Sequence, residues 1–113
     1  MSWTELHAGS ATISTSEYSI VNGSTTPASS TTKLTAQVWF DVNAMALGDE
    51  FAIRLYEKVR TADTQRLTEE LILTGPQSRN VVFPSVMLGN GWDIRIIKLA
   101  GTDRAITWSV RQY

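Results

Sequence analysis

The sequence contains no cysteine and only one histidine, His7. Without thiols there is no disulfide framework, no thiolate zinc or iron–sulfur site and no cysteine nucleophile. With one imidazole there is no multi-histidine metal centre, so neither a metal nor a cofactor is expected. Charge of one sign is equally scarce: 10 Lys and Arg against 11 Asp and Glu leave a formal net charge of -1. A near-neutral chain has no general electrostatic pull on nucleic acid or on an anionic membrane, and neither is expected as a partner. No apolar run approaches the roughly 18 residues that a membrane span needs. The first ten residues also lack the basic and apolar regions of a secretory signal. The expectation is a protein that acts where it is made, or leaves in a particle or by lysis.

What is present is 113 residues, 42% of them hydrophobic. A chain of this size buries about two thirds of its unfolded surface, which supports one core and leaves no room for a second domain. The composition is uneven. Residues 10–35 hold fourteen Ser or Thr out of twenty-six, and residues 1–32 contain no Lys or Arg, only Glu5 and Glu17. Thr favours extended backbone and Ser favours turns, so this stretch divides. Residues 1–10 read as an N-terminal arm and Ala11 to Val21 as a first strand. Residues 22–32, with Asn22-Gly23 and Pro27, read as a long mobile loop. The remainder, 11–113, is expected to be one domain.

From Lys33 onward the apolar period is two, the signature of strands. Leu34, Ala36, Val38, Phe40 and Val42 share one face, with Gln37, Trp39 and Asp41 on the other. Phe51, Ile53 and Leu55 alternate with Arg54, Tyr56 and Lys58. Arg66 to Thr74 reads as a further strand stopped by Gly75-Pro76, with a helix as the alternative. Asn80 to Phe83 reads as a short strand closed by Pro84, continuing towards Leu88 after a kink. Trp92, Ile94 and Ile96 alternate, as do Ile106, Trp108 and Val110, and the short connection at 100–103 makes these two runs a β-hairpin. About seven or eight strands at intervals of eight to twelve residues predict an all-β fold. The expected architecture is an antiparallel β-sandwich, jelly-roll or immunoglobulin-like.

Catalytic signals are thin. His7 lies beside Glu5 in the expected arm, with no nucleophile near it in sequence. Neighbouring carboxylates such as Glu69 and Glu70 point to opposite faces of a strand, which leaves only a cross-strand couple such as Glu57 with Glu69 for glycosidase chemistry. Gly89-Asn90-Gly91 is followed by no lysine and no helix, so it reads as a turn. The chain is expected not to be an enzyme. The aromatics carry more information, because four Trp exceed what a small sandwich core needs. Trp92 and Trp108 are in phase with isoleucines and read as core. Trp39 projects from the face opposite its apolar neighbours, Tyr56 projects beside Arg54, and Trp3 sits in the arm. Exposed aromatics near arginine are the composition of an interface hot spot, and also of a platform on which sugar rings stack. The candidate interface residues are therefore Trp3, Leu6, His7, Trp39, Arg54 and Tyr56.

Several phrases carry a resemblance: Glu5 to Ser10, Tyr56 to Arg60, Thr64 to Arg66, Leu73 to Ser78, Gly91 to Asp93 and Lys98 to Arg111. Across most of its length the chain resembles small virion structural proteins of tailed bacteriophages. With its sandwich and arm it is similar to capsid decoration, or cement, proteins. The resemblance implies a non-enzymatic component of a phage particle, made in the host cytoplasm without a signal peptide and placed on the outer capsid surface. It implies binding to the major capsid protein lattice and self-association, with a homotrimer favoured. The alternative is a carbohydrate- or receptor-binding module of a tail or head fibre, with Trp39 and Tyr56 as the platform for a glycan.

Overall fold

The computed structural model describes residues 3–113. Eight strands form: β1 (Thr4–Ile13), β2 (Tyr18–Ser19), β3 (Leu34–Asp41), β4 (Glu50–Glu57), β5 (Arg66–Thr74), β6 (Val81–Leu88), β7 (Asp93–Ala100) and β8 (Arg104–Gln112). They build two antiparallel four-stranded sheets, ordered β1-β8-β3-β6 and β2-β7-β4-β5. First pairs with last, second with seventh, third with sixth and fourth with fifth, as if one long hairpin had been rolled over itself. That is the jelly-roll arrangement of two Greek keys, which decides between the two sandwich types expected. No helix long and apolar enough to cross a membrane occurs among the described residues.

Alternation explains the layers. Leu34, Ala36, Val38 and Phe40 of β3 and Ile106, Trp108 and Val110 of β8 face inward from the first sheet. Phe51, Ile53 and Leu55 of β4 meet them from the second sheet, with Ile94 and Ile96 of β7. Trp92, Phe40 and Phe51 are the largest side chains sealed between the layers. The helical alternative for 66–74 does not form, because β5 pairs along its whole length with β4. The β-hairpin expected of the runs around 100–103 does not form either: β7 and β8 belong to different sheets, and the short connection crosses between the layers because each strand buries its apolar face against the other sheet.

The N-terminal segment departs from expectation. Residues 4–10, read as an arm, are most of β1 and pair antiparallel with β8, from Thr4 opposite Gln112 to Ile13 opposite Arg104. The strand expected over 11–21 is split, since the chain turns at 14–17 and crosses to the other sheet to form β2. β1 lacks large alternating side chains for a steric reason. A Cβ at Gly9 would stand 3.1 Å from the Trp108 ring, so the strand is thin where it passes that indole. The loop over residues 22–32 is tied down at several points. Asn22 Nδ2 donates to the Thr26 and Pro27 carbonyls, the Ala28 N–H donates to Asp93, and Ser30 bridges to Trp92.

Candidate functional site

The two outer faces of the sandwich carry most of the polar and aromatic candidates, and they differ in kind. On the β2-β7-β4-β5 face, register sets Arg54 directly opposite Arg95, a like-charge pair that is unfavourable by itself. Glu17, delivered by the turn between β1 and β2, resolves it. Its carboxylate lies 2.9 Å from Arg54 and 3.3 Å from Arg95, and it accepts the Tyr56 hydroxyl at 2.7 Å. Glu70 binds Arg54 from the other side at 2.7 Å. Arg95 continues inward to Asp93 at 2.6 Å and to Gln65 at 2.6 Å, with its guanidinium 3.8 Å above the Tyr56 ring.

The charges follow from these contacts. Burial opposes ionisation of Glu17, but hydrogen bonds from Arg54 and Tyr56 and the charge of Arg95 outweigh it and hold the carboxyl below its ordinary range. Hydrogen bonds to Glu17 and then Glu70 keep Arg54 more firmly protonated than usual. Burial, reinforced by Glu17, pushes the Tyr56 phenol up. This face is a closed network in which Arg54 and Tyr56 already have their partners. Among the described residues, no buried side-chain polar atom is left without a hydrogen bond.

The β1-β8-β3-β6 face is different. Trp39 stands on β3 next to Ser109 of β8, which is in turn opposite Ala8 of β1. Beside that row, Gln37, Arg111 and Glu5 form a second, and Asp41, Thr107 and Ser10 a third. The Arg111 guanidinium lies 4.3 Å over the Trp39 ring and 5.0 Å over the Trp3 ring, a cation held between two indoles. Trp39 Nε1 donates to Gln37 Oε1 at 3.2 Å, and Gln37 Nε2 donates to the Tyr113 hydroxyl at 3.1 Å. The Ser109 hydroxyl donates to Glu5. Next to this stack is a shallow trough of about 320 Å³, lined among others by Glu5, Ala8, Trp39, Asp41, Asn80 and Ser109.

The structure therefore brings Trp3 and Trp39 together through Arg111, which was not among the candidates read from sequence. Tyr56 and Trp39 lie on opposite outer faces, so the shared platform expected of them does not exist. Leu6 sits at a β-bulge and packs against the core. His7 is half-buried with its ring edge-on to Trp92, centroids 6.2 Å apart, and burial lowers its pKa. The carboxylate couple considered for Glu57 and Glu69 is not in register. Glu57 faces Arg66 and accepts the Gly89 and Asn90 amides, while Glu69 faces Leu55. No cluster of three or more His, Asp or Glu placed to hold a metal occurs among the described residues.

The third feature is an open edge. β5 and β6 are the edge strands on the same side of the sandwich, and a groove of about 280 Å³ separates them. Leu55, Leu71, Phe83, Pro84 and Val86 line it, with Glu69, Glu70 and Ser85. On the same strands Met87 is 84% exposed, Ile72 50% and Leu67 47%. The sequence matches no protein-family model and no curated protein.

Proposed function

We propose that this chain is a non-enzymatic structural component of a tailed-phage particle, a capsid decoration protein that binds and reinforces the major capsid protein lattice. The observation that carries the reading is the open β5/β6 edge. Two edge strands with unused backbone groups flank an apolar groove, and large side chains stand in solvent along both. Glu69, Glu70 and Pro84 guard parts of these strands, but the apolar groove between them stays uncovered, where a monomeric domain ordinarily covers it. An extended segment of a capsid subunit fits it, adding a strand to β5 while its apolar side chains enter the groove. The resemblance of the sequence to phage virion proteins supports the same reading. A rigid jelly roll needs no cleft for this task. On a repeating lattice, modest contacts at each site are multiplied by many copies and by self-association into a trimer.

The test is co-sedimentation of the full chain with capsids that lack it. Ile72→Lys with Met87→Lys is expected to reduce retention on the capsid by about tenfold or more, because these apolar side chains flank the open edge on the outer faces of its two strands and a charge there is costly to desolvate beneath a bound subunit. Both residues are exposed, so the melting temperature should stay within a few degrees of the parent's. Undiminished retention of the double variant would remove the open edge from the account.

A further inference from the structure

We infer that the trough on the outer face of the β1-β8-β3-β6 sheet is a carbohydrate-binding site that takes one or two neutral pyranose units against Trp39. The trough exists because small side chains from two strands lie beside a large one. In the row through Trp39, the neighbours are Ser109 and then Ala8, and in the next row Thr107 and Ser10 lie beside Asp41. An outer sheet face with residues of even size would be flat. Here the indole forms a wall and the small residues a floor, enclosing about 320 Å³, at the lower end of the range for small-ligand sites.

The chemistry of the lining suits a sugar. A pyranose presents C–H groups on one face and a ring of hydroxyls that both donate and accept. Trp39 supplies the aromatic surface for the C–H face. Around it stand two carboxylates (Glu5 and Asp41) that accept, the Asn80 amide that both donates and accepts, and the Thr107 and Ser109 hydroxyls, which give their protons to Ser10 and Glu5 and keep lone pairs that can accept from sugar hydroxyls. Two carboxylates against the one guanidinium of Arg111 disfavour an anionic ligand and favour a neutral or amino sugar. Val82 and Met87 of β6 also reach this face but do not line the trough, whereas the β5/β6 groove is lined by Leu55, Leu71, Phe83, Pro84 and Val86, so a protein partner is better served there.

The wall is also set before a ligand arrives. Arg111 stacks on Trp39, Trp3 closes over the same guanidinium, and Arg111 Nε donates to Ser109 at 3.3 Å. Gln37 holds the indole N–H. A fixed indole loses little conformational freedom on binding, which is how a shallow site retains measurable affinity.

The experiment uses the full chain on an array of plant, animal and bacterial glycans, followed by saturation-transfer NMR with glucose, galactose, mannose and N-acetylglucosamine. At least one neutral pyranose is expected to show transfer at its ring C–H protons. Trp39→Ala should weaken that binding by about tenfold or more. Ala8→Phe, which fills the floor and leaves Trp39 itself in place, should abolish it. Thermal melts of both variants check that the sandwich is intact. A silent array with no transfer from any of the four sugars overturns the inference, as does binding that survives both substitutions. If the trough variants leave capsids with no sugar signal from the parent, the surface belongs to a protein contact and the carbohydrate assignment fails. Capsid retention by the open edge is read separately, in the Ile72 and Met87 variant, so either reading can fail alone.

Discussion

Asp93→Ala is expected to cost about 3–5 kcal/mol of folding stability, the range for removing one partner of a buried ion pair. In a domain of this size that lowers the melting temperature by more than about 10 °C. Asp93 is fully buried. One carboxylate oxygen accepts the Ser19 hydroxyl at 2.6 Å and the Ile94 N–H at 2.9 Å. The other accepts the Ala28 N–H at 2.9 Å and Arg95 Nε at 2.6 Å. Truncation strands four donors at once, including a cation whose residue is only 8% exposed. It also releases the long Ser/Thr-rich loop at Ala28 and the short strand β2 at Ser19. Asn is a poor substitute, since its amide nitrogen would face donors. The control is Arg60→Ala, which removes an exposed ion pair to Asp63 and should leave stability unchanged within the error of the measurement. Urea denaturation of the three proteins measures both effects, and a loss below about 1 kcal/mol for Asp93→Ala would refute the role given to this carboxylate.

The second large effect belongs to the end of the sandwich where three connections meet. Asp49 is buried, and its carboxylate accepts the Thr102 N–H at 3.0 Å, Arg104 Nε at 2.7 Å and the Ala46 N–H at 2.8 Å. Its own carbonyl accepts the Gly75 N–H at 2.9 Å. One residue thus fastens the β3–β4 loop, the β7–β8 turn and the end of β5. Gly101 makes the approach possible. Its φ is +90°, and a Cβ there would overlap Asp49 Oδ1 and lie 2.7 Å from Asp49 Cα. Gly101→Ala and Asp49→Asn should each lower the melting temperature at neutral pH by about 10 °C.

Asp49 also predicts a pH dependence with a definite sign. The Thr102 amide, then Arg104, then the Ala46 amide hold its carboxyl at about 2, against an ordinary 3.8. Above pH 3.8 the group is ionised in folded and unfolded chains alike, and its stabilisation is fully present. As pH falls from 3.8 towards 2 the unfolded chain takes up the proton first, and the stabilisation is lost. Asp49→Asn should therefore differ most from the parent at neutral pH and converge with it near pH 2. Thermal melts across that range check it, and a constant difference would contradict the assignment.

Most of the strand framework was legible from alternation. β3, β4 and β8 bury mainly one face, so their apolar residues recur at every second position, and Trp39 could be placed outward by the same rule; β7 keeps the alternation although Asp93 and Arg95 are buried on its other face. β1 was not legible because the feature that makes it fit is the missing side chain of Gly9, which matters only once Trp108 is known to pass over it. The outward placement of Arg54 and Tyr56 was also readable. Their closure by Glu17 was not, because Glu17 arrives from a turn 37 and 39 residues away in sequence. Arg111 was hidden for the same reason. Its contact with Trp39 depends on the register between β8 and β3, and alternation within one strand carries no information about register.

The role proposed for this domain is that of a many-copy part of a phage particle. Quantitative mass spectrometry of phage particles purified from lysates in which the protein is made tests that role most directly. The expected result is the protein in the particle at a fixed ratio to the major capsid protein, in tens to hundreds of copies on the order expected of a lattice-binding component. Its absence from purified particles, with the protein recovered only from the soluble lysate, would rule this role out.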